Sequence, residues 1–413
     1  MVLKHIASCM MVGAGTVGLG AESASASADR LGWPGLDAAL RVWTRSGEVP
    51  GVLALVQREG RDLFLGVAGT RDPELGEAAP VRRDTIFWVY SITKLFTAAG
   101  VMKLHERGAL DVHRPVADYL PEWGRPRVWR GGDAAATDTV EGAPVTIHHL
   151  LTHTAGLYYT HTAAPTIAEY LAGREQVLFG TPEAFLALVN SIPLHDYPGT
   201  RYRYSQGYAV LGLVIERVSG RPLDEFLAQE VFGPCGMADT GFRVPAEKVG
   251  RFARICSAGA DGRPAPDAAS EARLPARGSF LAGGGDAFST ADDLARFGRM
   301  MLGGGEIDGV RVLSARSVEW MTSDRLGPEL RAGFSSRMPT PDTYAYGAGV
   351  ATSDTPGGVG HAGAFGWTGN ATTILQMDPK TRTVSVLLAS MRPPRTRLYG
   401  EFLRQVYASV GEP

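Results

Sequence analysis

The chain has 413 residues, 44% hydrophobic and 20% charged, with a formal net charge of −2. That length exceeds one ordinary core and calls for two lobes or a large α/β body with an insertion, and the composition is that of a globular chain. The small net charge excludes attraction to nucleic acid or an anionic membrane by field alone, and no basic block, heptad run or internal repeat is present.

Residues 1–28 open with Lys4 and His5, continue through an apolar small-residue stretch from Ile6 to Gly20, and close on "ASASA" at 24–28. This is the layout of a secretory signal peptide cut near Ala28, which predicts a secreted or periplasmic protein; a disordered alanine-rich leader is the plainer reading. The stretch is too short and glycine-laced for an integral membrane span. Gly35–Ser46 has helical periodicity, and "GVLALVQREG" and "RDLFLGVAGT" read as two strands about a turn at Glu59–Gly60.

Helical patterns follow at 91–107, 166–173, 182–190, 206–219, 223–231, 291–303 and 314–322. The glycine- and proline-rich stretch 123–144 reads as a mobile loop. "ATTILQMDP" and "TVSVLLASM" are two more strands joined at Asp378–Thr383, and a helix over Leu398–Val410 closes the chain. The predicted fold is α+β. Residues 30–90 and 336–413 form an antiparallel sheet lobe built from both chain ends and flanked by helices, with a helical lobe, 91–335, inserted between them. A crevice between the lobes is the default ligand site.

Cysteines occur at 9, 235 and 256 without metal-ligand spacing. Cys235 and Cys256 are free to pair or not, and Cys235 in "FGPCGM" suits a small apolar core position.

In "WVYSITKLFTAAGVMKL" Ser91 precedes Lys94 by three residues, so both share one face of a helix start. The apolar neighbours Leu95, Phe96, Ala98, Val101 and Met102 bury that helix. Burial lowers a lysine pKa, and a neutral amine can take the serine proton. Lysine is scarce (4, 94, 103, 248 and 380), and this is the one pair with the spacing. A serine cap with a solvent-facing lysine fits the stretch equally well.

Further segments extend the pattern: "APVTIHHLLTHTAGL" (143–157), "YPGTRYRYSQGYAVLGLVIERVSGRPL" (197–223), "VFGPCGMADTGF" (231–242), "GGGDAFSTADDLARFGRMML" (283–302) and "GHAGAFGWTGNATTILQMDP" (360–379). Together they resemble the serine β-lactamase/penicillin-binding-protein superfamily. The likeness is to its class C β-lactamase-like branch, with the family VIII carboxylesterases, transesterases and D-peptidases, and it covers about 30–410. It implies a β-lactamase/transpeptidase-like fold and a serine hydrolase working through an acyl-enzyme on Ser91, with Lys94 and Tyr204 handling the proton and no cofactor or metal.

The second family motif, Tyr-x-Asn, is matched by Tyr204-Ser205-Gln206, where Gln206 departs from asparagine. The third, Lys-Thr-Gly, is read as His361-Ala362-Gly363, with Trp367-Thr368-Gly369 as the rival register. In the first register His361 and Gly363 edge the substrate, and the Ala364 N–H joins that of Ser91 as the oxyanion hole. The missing lysine and Gln206 favour a carboxylesterase over a β-lactamase. A transesterase/acyltransferase, a D-alanyl-D-alanine-type peptidase or a sensor that acylates without turnover are the alternatives. The partner is a small ester, amide or peptide. His153 and Thr154 are read as structural, and Trp88, Trp123, Tyr158, Tyr159, Tyr344 and Trp367 as candidate crevice aromatics. G-x-S-x-G is absent, so an α/β-hydrolase elbow is not supported.

Overall fold

The computed structural model describes residues 33–172, 180–272, 274, 280–336, 341–355 and 359–411. The leader and the end of the predicted 166–173 helix lie outside these residues.

β1 (Gly51–Arg58) and β2 (Arg61–Gly69) form the predicted hairpin about Glu59–Gly60. β3 (Thr343–Tyr344), β4 (Gly349–Val350), β5 (Phe365–Gly369), β6 (Thr373–Asp378) and β7 (Thr383–Ala389) follow from the other chain end. The seven strands make one antiparallel sheet in the order β3-β4-β5-β6-β7-β1-β2. β1 and β7 join the two ends in register, Val52 opposite Ala389 and Leu55 opposite Val386.

The central strands are apolar on both faces because both faces are covered. On one face Val52, Ala54, Val56, Ile374 and Leu387 meet α1 (Pro34–Arg45) and α5 (Thr396–Val410) through Leu36, Leu40, Trp43, Leu398, Phe402 and Val406. On the other face Leu53, Leu55, Leu375, Met377 and Val386 share a core with α2 (Thr93–Glu106), α3 (Gly207–Ser219) and α4 (Ala291–Leu302). α2 is buried around nearly its whole circumference, from Thr93 through Met102. A helix covered on all sides carries apolar or small residues on every face, which explains "TKLFTAAGVM".

The caps are local. Thr290 accepts from the Asp293 N–H at the start of α4, with Asp292 and Asp293 in its first turn. Thr146 and His149 close a reciprocal capping box on the short helix Ile147–Leu151.

Three expectations need correction. The stretch 123–144 is not one loop, because Arg127–Trp129 pairs with Thr139–Glu141 as a hairpin. α4, assigned to the helical lobe, lies on the sheet: a Cβ on Gly298 would stand 2.6 Å from Val384 Cγ1. The predicted 223–231 helix changes at Ala228–Phe232 to a π-helical turn. Cys235 and Cys256 are both buried and free, so they do not pair. Among the described residues no helix is long and apolar enough to cross a membrane.

The two-sided sheet core predicts that Leu387→Ala, a fully buried position in β7, costs about 2–5 kcal/mol. The urea midpoint should fall with secondary structure unchanged in the folded baseline; an unchanged midpoint would contradict this packing.

Candidate active site

Ser91 sits on a one-turn 3-10 segment, Tyr90–Ile92, that runs directly into α2. Tyr90 has φ +45°, in the left-handed region that side-chain-bearing residues seldom adopt. That strain costs on the order of 1–3 kcal/mol and persists only when neighbours over-determine it. Here the Tyr90 ring stacks on Trp88 with centroids 4.3 Å apart. The Trp88 indole in turn donates to Gly285 O at 2.7 Å. Thr93 Oγ1 donates to Tyr90 O at 2.5 Å and accepts from Ala287 N at 3.0 Å.

Lys94 is completely buried. Its Nζ donates to Gly284 O at 2.6 Å and to Ser91 Oγ at 3.2 Å. It also lies 4.8 Å from the Tyr204 ring centroid, 5.8 Å from Tyr208 and 6.0 Å from Tyr159. The solvent-facing lysine is thereby excluded. The expected fall in its pKa is not what results. Burial works to lower it, but charge and hydrogen bonding from Tyr159 and Tyr204 outweigh burial and hold the amine above its ordinary value.

Tyr204 is half-buried at the turn before α3, and its phenol oxygen accepts from Trp367 Nε1 at 3.2 Å. The backbone beneath it is held by His153, which is fully buried with φ +57°. His153 Nδ1 accepts from Ser205 N at 3.2 Å, and its ring centroid lies 4.6 Å from that of Tyr204. Burial and the nearby Lys94 charge hold its pKa well below the ordinary histidine value, so the ring is neutral. His153 positions Tyr204, as its structural reading expects. Gln206, 5% exposed, opens α3, and its Oε1 is buried without a hydrogen-bond partner.

Tyr159 was only one of six candidate aromatics in the sequence, yet it is a direct partner of Lys94. No motif marks it, because it reaches the site from a loop whose course only the tertiary fold sets. Burial raises its own pKa, with the Lys94 charge working the other way. Trp123 and Tyr158, by contrast, pack in apolar clusters.

The two triplets read as the third motif lie in different surroundings. The stretch before His361 is no strand: Val359–Ala364 is irregular, and β5 begins at Phe365. His361 Nδ1 lies 2.7 Å from Asp378 Oδ2, and its ring packs on Tyr407 of α5. That is the end of β6 opposite Thr373, whose side chain meets Val89 beside the serine turn. Gly363, at φ +85°, makes a turn. The Ala364 N–H is spent on His361 O at 2.9 Å. In the rival register Trp367 lies in β5, and its Nε1 donates to the Tyr204 phenol oxygen at 3.2 Å. At Gly369 a Cβ would stand 2.2 Å from both Val89 O and Thr373 Oγ1.

The family model described as Beta-lactamase matches residues 36–408. Protein Rv1367c of Mycobacterium tuberculosis (strain ATCC 25618 / H37Rv) is 33% identical over 368 residues, 87% of this chain and 90% of that protein. Esterase EstB of Burkholderia gladioli is 32% identical over 359 residues, 81% of this chain and 84% of its own. Among solved structures, EstCE1, a hydrolase with promiscuous acyltransferase activity, superposes with a TM-score of 0.75 at 22% identity, over 92% of this chain and 97% of that one.

Two tests follow from this geometry. Gly369→Ala should force β5 off the serine turn and reduce turnover of any substrate by on the order of 10²-fold, with Tm falling as well; wild-type kinetics in that variant would refute the close approach. Burial pushes the Asp286 carboxyl, which accepts from Ala282 N at 2.8 Å, up to about 6, although that bond and the Lys94 charge oppose it. A carboxyl raised from 3.8 on folding stabilises the protein fully below pH 3.8, and that stability is lost as pH rises through about 6. Asp286→Asn should therefore raise stability by roughly 1–3 kcal/mol at pH 8 and by almost nothing at pH 4. A thermal-melt difference that does not grow with pH would oppose this.

Proposed function

The chain belongs to the beta-lactamase family, and from that premise we propose that it is a carboxylesterase-type serine hydrolase whose acyl-enzyme forms on Ser91. The observation that carries the reading is the buried Lys94 amine, 3.2 Å from Ser91 Oγ and 2.6 Å from Gly284 O, packed against the Tyr204 ring. Esterase EstB, by its name, is an esterase, and its likeness spans 81% of this chain.

In the proposed mechanism Lys94 and Tyr204 act as one unit that shares its protons. Ser91 Oγ attacks the ester carbonyl, its proton passes into that unit, and the unit returns a proton to the departing alcohol. The Ser91–acyl bond replaces the alcohol–acyl bond. Water then attacks by the reverse relay and frees the acid and the serine. With Trp367-Thr368-Gly369 as the third motif, the oxyanion donors are the N–H of Ser91 and that of Asn370, the residue after the glycine. Tyr159 holds the far side of the ammonium. Gln206, at the start of α3, carries a buried acceptor without a hydrogen-bond partner.

Substrates are esters of small acids. Trp367 stands where a β-lactamase has lysine, so a cationic partner for a β-lactam is missing at that place. We further propose export through the leader at 1–28, on its basic start, apolar stretch and small-residue end.

Ser91→Ala, Lys94→Met and Tyr204→Phe should each lower kcat/KM on 4-nitrophenyl butyrate by on the order of 10³-fold or more. Mass spectrometry should trap a butyryl adduct on wild type and none on Ser91→Ala. Residual full turnover in Ser91→Ala would defeat the assignment. Faster turnover of nitrocefin than of esters would reverse the substrate ranking, and butyl butyrate formed in the presence of butanol would reveal acyl transfer.

A further inference from the structure

A cavity of about 340 Å³ opens beside the serine turn, lined by Ser257, Asp267, Ala269, Ser270, Asn370, Arg392 and Pro393. That volume holds a short acyl or alcohol arm. Two of its residues lie next to the segment that carries Ser91. Asn370 follows Gly369, whose backbone touches Val89. The Arg392 guanidinium lies 5.5 Å from the ring centroid of Tyr90, the residue before Ser91.

Arg392 is a poorly satisfied cation. Its Nη1 donates to Ser270 Oγ and stands 3.7 Å from Asp267 Oδ2, too far for the fork-to-fork pairing that carboxylates and guanidinium groups prefer. Asp267 is already engaged: its oxygens accept from Ser270 N at 3.1 Å and Ser270 Oγ at 2.8 Å. The Arg392 Nε is buried without a partner. Burial pushes the Tyr90 phenol up to about 12, with the Arg392 charge opposing it, so the ring beneath the guanidinium is uncharged at neutral pH. The side chain is 26% exposed and open to a ligand.

We propose that this cavity is a specificity subsite in which Arg392 receives a carboxylate carried on one arm of the ester substrate. The subsite rests on the reading of Ser91 as the nucleophile. A guanidinium short of acceptors and partly out of water gains more from a planar anion than from a neutral group. The anion is singly charged, because Asp267 sits in the same cavity and repels a dianion such as a phosphate monoester. Ser257 offers a further hydroxyl to the second carboxylate oxygen.

The test compares matched esters on the full chain. 4-Nitrophenyl hydrogen glutarate and 4-nitrophenyl valerate place or omit a carboxylate on the acyl arm; 4-acetoxybenzoate and its methyl ester do so on the alcohol arm. One charged ester should exceed its neutral match in kcat/KM by tenfold or more. Arg392→Gln should abolish that preference while changing the neutral ester less than threefold, Arg392→Lys should restore part of it, and Asp267→Asn should enlarge it. Equal kcat/KM within both pairs, or a preference that survives Arg392→Gln, would overturn the subsite.

A second readout does not need turnover. Monomethyl glutarate or benzoate should bind Ser91→Ala protein in calorimetry, at least tenfold more weakly when Arg392→Gln is added; binding indifferent to Arg392 would also overturn the proposal. Arg392-dependent binding without ester turnover in wild type would keep the subsite and defeat the hydrolase reading instead.

Discussion

One ammonium group, that of Lys94, is held entirely out of water. Stripping a charge of its hydration costs several kcal/mol even after the protein relaxes, so the fold must return that energy at close range. It does so with one carbonyl, one hydroxyl and two phenols. Gly284 O and Ser91 Oγ accept from the amine, and Tyr159 and Tyr204 supply the remaining contacts. These partners come from four separate stretches of chain. Gly283 in "GGGD" follows from the same close approach: a Cβ there would meet Tyr208 O at 2.7 Å. A side chain at that position would push the loop, and with it Gly284 O, away from the amine.

Burial around this cation acts on each titratable neighbour according to the sign of its charged form. It keeps His153 neutral and raises the Asp286 carboxyl, and the Lys94 charge adds to the first effect and opposes the second. A second positive group at the site could not therefore be a histidine packed beside the amine. Arg392, at the edge of the serine turn and partly exposed, is positioned where a charge costs less. The site thus has a buried cation bonded to Ser91 and a peripheral one, Arg392, beside a cavity.

The backbone around Ser91 is held from two sides. Tyr90 keeps its left-handed conformation with its ring stacked on Trp88 and its carbonyl held by Thr93 Oγ1. Gly369 brings β5 against Val89 at a distance no side chain would permit. Strand, serine turn and helix α2 are therefore packed directly against one another. This suits a reaction in which the oxyanion donors must be placed before the charge develops.

Much of this was written locally. The two hairpins from opposite chain ends, the buried helix after Ser91, the cap at Thr290 and the pairing of Ser91 with Lys94 follow from periodicity and spacing, because an i to i+3 pair meets wherever a helix forms. Tyr204 was legible as a motif beside a helix start. The third motif was not. "GHAGAFGWTG" offers two glycine-ended triplets that the fold separates: Trp367–Gly369 pairs with Thr373–Leu375, whereas His361 turns toward Asp378 and Tyr407. Tyr159, the upward direction of the Lys94 pKa and the Arg392 cavity likewise had no local signal. Each arises from groups distant in sequence that meet once the core closes, and electrostatic energy depends on those distances and on excluded water, not on order along the chain.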